Sequence, residues 1–171
     1  MSSAARVCRA ILLPLVLCLC FSLTNGHGED NEESGRPSLR GLKAVWVDID
    51  IAQPADAQIK LDTAELRTAT ELKLRMAGIK VAPNYTQADS ILILAITSAF
   101  AMPTGYYSRL DLSLGQPVRL RRDPGVSHFA KTWNVGYLIY ASNGKYRESV
   151  VSSVGLMCDQ FVNAYLSVNP R

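Results

Sequence analysis

Residues 106–141 read YYSRLDLSLGQPVRLRRDPGVSHFAKTWNVGYLIYA. Apolar and polar side chains alternate through most of this stretch, which is typical of strands that are buried on one face. We predict one strand over 106–122, a second over 127–141, and a connection formed by the turn residues 123–126. The apolar faces are Leu110, Leu112, Leu114, Val118 and Leu120 in the first strand, and Phe129, Trp133, Val135, Tyr137 and Ile139 in the second.

The register of this hairpin follows from its two faces. A slip of one residue would set the apolar faces on opposite sides of the sheet. Pairing Arg122 with Ser127 brings them together and places Leu114 opposite Val135. The other face then carries polar side chains: Arg109, Asp111, Arg119, Arg121 and His128.

The far end of the hairpin is basic. It gathers the side chains of Arg119, Arg121, Arg122, His128 and Lys131. Asp123 is the only acid there, and Phe129 adds an apolar side chain. A strand rises about 3.4 Å per residue against 1.5 Å for a helix, so we expect the tip to project beyond the helices. Such a tip suits an acidic partner or anionic lipid head groups, whereas the alternative is that the charges only keep the strand end soluble.

Further elements frame the hairpin. A strand over 42–51 alternates, a helix begins near Asp62 and ends near Gly78, and residues 90–97 form a strand that is apolar on both faces. The buried stripe predicted for this helix comprises Leu61, Leu66, Ala69, Leu72, Met76 and Ile79. An amphipathic helix follows over 146–168. We predict an α+β fold, a two-layer sandwich with both helices packed on one face of a mostly antiparallel sheet.

The sheet face away from the helices is a second candidate surface. Trp46 lies on the outer side of the first strand, next to the apolar strand 90–97. If these strands adjoin, they form an apolar patch that a partner or a second copy covers. The alternative cover is the loop that follows, in which Phe100 and Met102 fold back across the face.

Three short stretches carry a resemblance. They are LRGLK at 39–43, ELKLRMAGI at 71–79 and FVNAYL at 161–166. With the order of elements, these stretches make residues 39–171 resemble a group of uncharacterised exported bacterial proteins. In outline the chain is also similar to small periplasmic assembly modules such as the TolB amino-terminal domain and the LptE lipoprotein. The resemblance implies an architecture rather than an activity, and the chain lacks the lipobox of LptE.

The first 26 residues are predicted to be a signal peptide. Arg6 and Arg9 precede an apolar stretch over 10–23, and Thr24 and Gly26 are the small residues of a cleavage site. The apolar stretch is shorter than the roughly 20 residues that span a bilayer. We therefore expect export to the periplasm or beyond, a flexible acidic lead-in over 27–38, and a single domain over 39–171.

Composition and motifs exclude several classes of function. Without the leader the chain has 16 basic and 15 acidic residues, so it lacks the charge of a nucleic-acid-binding domain. Only His27 and His128 are present, so a histidine-based metal site is not expected, and no nucleotide or cofactor motif occurs. Asp48 and Asp50 share a strand face but alone make a weak cation site. Cys158, the one cysteine outside the leader, falls on the apolar stripe of the last helix and is expected to be buried.

Two functions of different classes remain. The first is a noncatalytic binding or assembly module of the cell envelope, with an envelope protein or a second copy as its partner. The second is an exported hydrolase in which His128 works with Asp111 and one of the serines. The distance from His128 to an acid and a nucleophile distinguishes the two.

Overall fold

A computed structural model describes residues 35–101 and 103–170 of the chain. The predicted leader, the acidic stretch as far as residue 34, and Met102 lie outside these ranges. The elements in chain order are β1 (Val45–Ala52), α1 (Thr63–Met76), β2 (Ser90–Ala101), β3 (Gly105–Leu120), β4 (Asp123–Ser142) and α2 (Tyr146–Val168). Short 3₁₀ turns occur at Arg36–Leu39, Tyr85–Gln87 and Asn143–Lys145.

The strands form one mixed sheet in the order β1-β2-β3-β4. β1 and β2 are parallel and are connected through α1, whereas β2, β3 and β4 are successively antiparallel. The predicted α+β class is confirmed. No helix of the described residues is long and apolar enough to cross a bilayer.

The buried strand residues alternate with the pleat and so share one face of the sheet. One row across the sheet shows this: Ile49 lies beside Leu94, which lies opposite Leu112, which in turn lies opposite Val135. The core cluster joins these rows to buried residues of α1 and α2. The α2 members are Tyr146, Val150, Val154, Met157, Cys158, Phe161 and Ala164.

Helix α1 begins and ends as its sequence indicates, but it buries a different stripe. The Asp62 carboxylate accepts hydrogen bonds from the amides of the first turn, and Gly78 has a positive φ of 79°. The buried residues of α1 are Leu66, Thr70 and Leu74. Leu72 and Met76, predicted to be buried, are 55% and 76% exposed. Thr70 packs against α2, where its hydroxyl lies 3.9 Å from Cys158 Sγ, so the stripe 66-70-74 is the buried one.

The hairpin turns earlier than predicted. Leu120 pairs with Asp123, so Arg121 and Arg122 form the turn and the stretch 123–126 belongs to β4. The Asp123 carboxylate accepts a hydrogen bond of 3.1 Å from the amide of residue 125. The register shifts at this point, since Leu120 pairs with Asp123 but Arg119 pairs with Ser127. Residues 124–126 therefore have no partner on β3 and form a bulge on β4.

A second irregularity changes the faces of β4. Leu114 pairs with Trp133, two residues from its predicted partner, and the next pair is Gly115 with Lys131. Thr132 is therefore the extra residue of a β-bulge. Between this bulge and the turn, over residues 127–131, the side chains of β4 point to the opposite faces from those that strict alternation predicts.

The folded chain begins before residue 39. The turn Arg36–Leu39 buries Leu39 in the core, and Ser38 Oγ donates to the Gly35 carbonyl at 2.7 Å. The Gln116 amide group binds both this turn and the bulge, since its Nε2 donates to the Ser38 carbonyl at 3.1 Å and to Thr132 Oγ1 at 3.0 Å. Residues 35–38 are thus part of the domain, whereas the sequence predicts them in a flexible lead-in.

Candidate functional site

The hairpin tip consists here of the turn and the strand ends beside it, with the cations Arg119, Arg121, Arg122 and Lys131. All four side chains are exposed. Within the described ranges none of them forms an ion pair. Asp123 is the only carboxylate in the turn, and it accepts a backbone amide. The tip therefore carries concentrated, uncompensated positive charge.

The bulge at Thr132 determines on which face of the sheet each tip residue of β4 lies. Arg119 pairs with Ser127, and Phe129 lies opposite Pro117, so Phe129 shares the outer face of the sheet with Arg119 and Lys131. The Phe129 side chain is 54% exposed. The predicted placement of Phe129 on the core face is wrong, because strict alternation takes no account of the extra residue. The bulge places an aromatic ring beside cations on one face.

His128 does not join this group. It pairs with Val118 and lies on the opposite face from Phe129. In the part of the chain that the structure describes, its ring makes no hydrogen bond or ion pair, and Asp111 instead binds Arg109 at 2.6 Å. The structure therefore brings no acid and no nucleophile to His128, as the hydrolase alternative requires.

Cys158 is confirmed as a buried residue, with 1% exposure. Burial raises the pKa of its thiol, and the nearby Thr70 hydroxyl only partly offsets this effect. A buried thiol with a raised pKa is a poor nucleophile. The side chain contributes to core packing between the helices.

Trp46 and Phe100, which were predicted to form one apolar patch, lie on different faces of the sheet. Trp46 lies on this face beside Ile91, and its ring contacts Tyr85 edge-on at 6.1 Å. Phe100 lies on the opposite, core-side face, where its ring meets Tyr106 at 5.3 Å. The alternative in which Phe100 folds back across Trp46 is wrong, because β2 continues to Ala101 and keeps its alternation.

A second group of exposed apolar side chains on the outer face lies at the end of the hairpin away from the tip. Tyr107 of β3 and Tyr140 of β4 pair across the strands with their ring centroids 5.3 Å apart. Leu138 lies next to them and is 77% exposed. Sequence alternation already places these residues on the outer face, but only the strand order shows that β4 is at the edge of the sheet.

A buried group of hydroxyls lies where the sheet meets α2, and sequence reasoning missed it. Tyr146 Oη lies 2.6 Å from Ser98 Oγ and 3.3 Å from Ser108 Oγ, and the two serines are 2.8 Å apart. The ring of Tyr146 stacks on Tyr106 at 4.4 Å. The group contains no acid or base, so it anchors the start of α2 on the sheet rather than providing a catalytic group.

One acid of the pair on β1, Asp48, is used within the fold. Asp48 forms an ion pair with Arg67 at 3.8 Å, and the Arg67 guanidinium also lies over the Trp46 ring at 5.8 Å. Among the described residues there is no group of three potential metal ligands.

Comparison with known proteins gives distant structural likenesses only. No protein-family model matches the sequence, and no curated protein matches it. A PelC dodecamer from Paraburkholderia phytofirmans has 15% identity and a TM-score of 0.42, over 71% of this chain and 88% of that one. A minor lipoprotein from Acinetobacter baumannii has 13% identity and a TM-score of 0.37, over 75% and 93%. Lipoprotein GNA1162 from Neisseria meningitidis has 12% identity and a TM-score of 0.38, over 71% and 99%.

These structures are bacterial lipoproteins and related bacterial proteins, which agrees in part with the resemblance seen in the sequence. A likeness to the TolB domain or to LptE is not shown. At these TM-scores the likeness identifies no family, and the function of this chain has to come from its own residues.

Proposed function

We propose that the protein is an exported, noncatalytic binding module of the cell envelope that attaches to anionic lipid head groups through its hairpin tip. The observation that carries this proposal is the set of four exposed cations at the tip, none of which is paired with a carboxylate in the described part of the chain. Unpaired cations gathered at one end of a hairpin are arranged to meet an external negative surface.

Basic side chains elsewhere on the domain provide a contrast. Several are paired with acids of the same chain: Arg67 with Asp48, Lys73 with Asp159, Arg75 with Glu71, Arg109 with Asp111, Lys145 with Glu148 and Arg147 with Glu65. Arg40, Lys43, Lys60 and Lys80 also lack a carboxylate partner in the described part of the chain, so the tip is distinguished by having four such cations, and no paired one, at one end of a hairpin. Four exposed cations at one end of the hairpin, two in the turn and two on the strands beside it, are more than a soluble strand end needs.

The apolar side chains at the tip support a lipid surface over an acidic protein. Phe129 is 54% exposed and shares the outer face of the sheet with Arg119 and Lys131. Val126, on β4 close to the turn, is 37% exposed. Each cation near an anionic leaflet contributes about 1 kcal/mol, and this contribution falls within a Debye length. Insertion of an aromatic ring at the headgroup boundary adds an attraction that salt does not screen.

The experiment is co-sedimentation with vesicles of phosphatidylglycerol and phosphatidylcholine, compared with vesicles of phosphatidylcholine alone. We expect binding to the anionic vesicles that weakens from low to physiological salt, and little binding to the neutral ones. The double variant Arg121→Glu, Arg122→Glu should lose this binding. Equal binding to both vesicle types, or full binding by the double variant, would contradict the proposal.

A matched control carries the same change of charge at the opposite end of β4. Lys145→Glu, Arg147→Glu replaces two exposed cations at the start of α2, where glutamates are compatible with the helix dipole. We expect this variant to retain most of the binding. If it loses as much binding as the tip variant, net charge rather than the tip governs attachment.

Export is part of the same proposal and has its own test. When the full chain is produced in an exporting bacterial host, we expect the recovered protein to begin at His27. Intact-mass measurement gives the cleavage site directly. Recovery of the protein only from the cytoplasm with residues 1–26 still present would contradict export.

A further inference from the structure

The two edge strands of the sheet, β1 and β4, differ in how far the rest of the domain covers them. The β1 edge is covered where it begins, because Val45 exchanges backbone hydrogen bonds of 2.9 and 2.8 Å with Lys80 and Ala82. Further along, the Arg67 side chain donates to the Val47 carbonyl. A long charged side chain across an edge is a common device against pairing with another strand. β1 is thus closed to a further strand.

In the described part of the chain, the β4 edge is covered only at its bulge. Ser38 Oγ donates to the Thr132 carbonyl at 3.3 Å, and Gly35 lies against the same carbonyl. Beyond this point, residues 134–142 have no strand beside them in the described part of the chain. The sequence TWNVGYLIYAS over 132–142 contains no charged residue and no proline. The devices that protect an exposed edge are absent from this stretch.

We propose that residues 134–142 pair with the same residues of a second copy, antiparallel, to form one continuous eight-stranded sheet. The open stretch is centred on Leu138, the most exposed of the large apolar side chains. A two-fold axis at this residue places Leu138 opposite Leu138 of the partner subunit. It also places Gly136 opposite Tyr140 of the partner subunit, so a large ring meets a residue without a side chain.

The two-fold register is self-complementary in charge and in shape. Because residues 132–142 carry no charge, self-pairing brings no like charges together along the shared edge. Beside the edge, the start of α2 presents the small residues Ser149, Ser152 and Ser153 towards β4, together with the ion pair of Lys145 and Glu148. Leu156, one turn further, is 55% exposed. This surface leaves room for the second copy and offers an apolar contact to it.

The closed β1 edge explains why assembly would stop at two copies. A chain with two open edges adds copies without limit, whereas a chain with one open edge forms a closed pair. An extended peptide from another protein would also fit one open edge. A second copy is favoured because a two-fold axis at Leu138, the most exposed apolar residue of the stretch, pairs the stretch with itself and needs no complementary charge.

Sedimentation of the full chain, produced with its leader in an exporting host, tests the pairing. We expect a concentration-dependent monomer–dimer equilibrium. Leu138→Lys should raise the dissociation constant about tenfold or more, because two lysines then face each other across the axis. Met76→Lys, at an equally exposed apolar site on α1, should leave the dissociation constant unchanged. A monomer at every concentration, or equal weakening by both variants, would overturn the proposal.

Cross-linking and hydrogen exchange separate edge pairing from contact between sheet faces. Under mild oxidation, Leu138→Cys should form a disulfide-linked dimer, since directly opposed side chains lie within reach of a disulfide. Thr97→Cys lies in the same row of the same face but two strands inward, and it should not. Amides of 134–142 should gain protection as concentration rises. Cross-linking of both variants without this protection would contradict edge pairing. These variants leave the tip unchanged, so vesicle binding is scored independently.

Discussion

The ring of Phe129 lies against the backbone of Gly115. A Cβ atom built at position 115 would come within 2.3 Å of Phe129 Cε1, so the ring occupies the space that any other side chain would need. The contact is diagonal across the hairpin and covers a glycine with an aromatic ring. It fixes the one aromatic ring that the tip presents beside its cations.

Gly115→Ala should therefore displace the Phe129 ring. We expect a loss of about 1–3 kcal/mol in the free energy of unfolding, as for overpacked sites, together with weaker binding to anionic vesicles. Gly144→Ala is the control, because no atom lies within 4 Å of a Cβ at that position. Urea unfolding measures both variants. Equal stability of the two would show that the ring moves aside without cost.

Tyr146→Phe should destabilise the fold through the buried hydroxyl group. The substitution keeps the stacking on Tyr106 but removes the partner that lies 2.6 Å from Ser98 Oγ. The substitution should cost about 0.5–1.5 kcal/mol, the net contribution of one hydrogen bond, because Ser98 Oγ keeps its contact with Ser108 Oγ at 2.8 Å. Tyr140→Phe removes an exposed hydroxyl of the same residue type and should cost far less. The same loss for both variants would argue against a stabilising role for the buried group.

Arg67→Ala should open the β1 edge. The variant loses the bond to the Val47 carbonyl, the ion pair with Asp48 and the contact with Trp46. We expect a red shift of tryptophan emission and more aggregation at high concentration, measured by light scattering. Arg75→Ala, which loses only an exposed pair with Glu71, is the control and should behave as the parent protein does.

The buried thiol of Cys158 should lower the free energy of unfolding as the pH rises above neutral. Because burial raises the pKa of Cys158 in the folded state, the unfolded chain releases this proton at a lower pH than the folded chain does. The contribution to stability is complete below the unfolded pKa of about 8.5 and is lost as pH rises through the folded value. Urea unfolding measures the free energy of unfolding at pH 7 and at pH 10. Between these two pH values it should fall less for Cys158→Ala than for the parent protein. An identical decline would contradict this assignment.

Local sequence signals predicted much of the fold. The bounds of α2 and the cap at Asp62 follow from periodicity and from side chains that bind the nearest amides. The hairpin strands were also predicted, but their register was not. Its bulge at Thr132 depends on Gln116 and on Ser38, residues that are distant in sequence and adjacent only in the fold.

The buried stripe of α1 shows a second limit of sequence reasoning. Leu72 and Met76 have the spacing of a core stripe, yet Thr70 is the residue that packs beneath α2. Periodicity gives the angle between side chains but not which side of the helix meets the sheet. For the candidate sites, composition predicted a basic tip, whereas its separation from His128 required the pairing of β3 with β4.

The most direct test of attachment through the tip is the emission of a tryptophan placed there. Phe129→Trp and Tyr107→Trp introduce the reporter at two sites that are each 54% exposed, the first at the tip and the second at the other end of the hairpin. On addition of phosphatidylglycerol vesicles, we expect a blue shift for Phe129→Trp and no change for Tyr107→Trp. No shift at position 129, or an equal shift at both positions, would contradict binding through the hairpin tip.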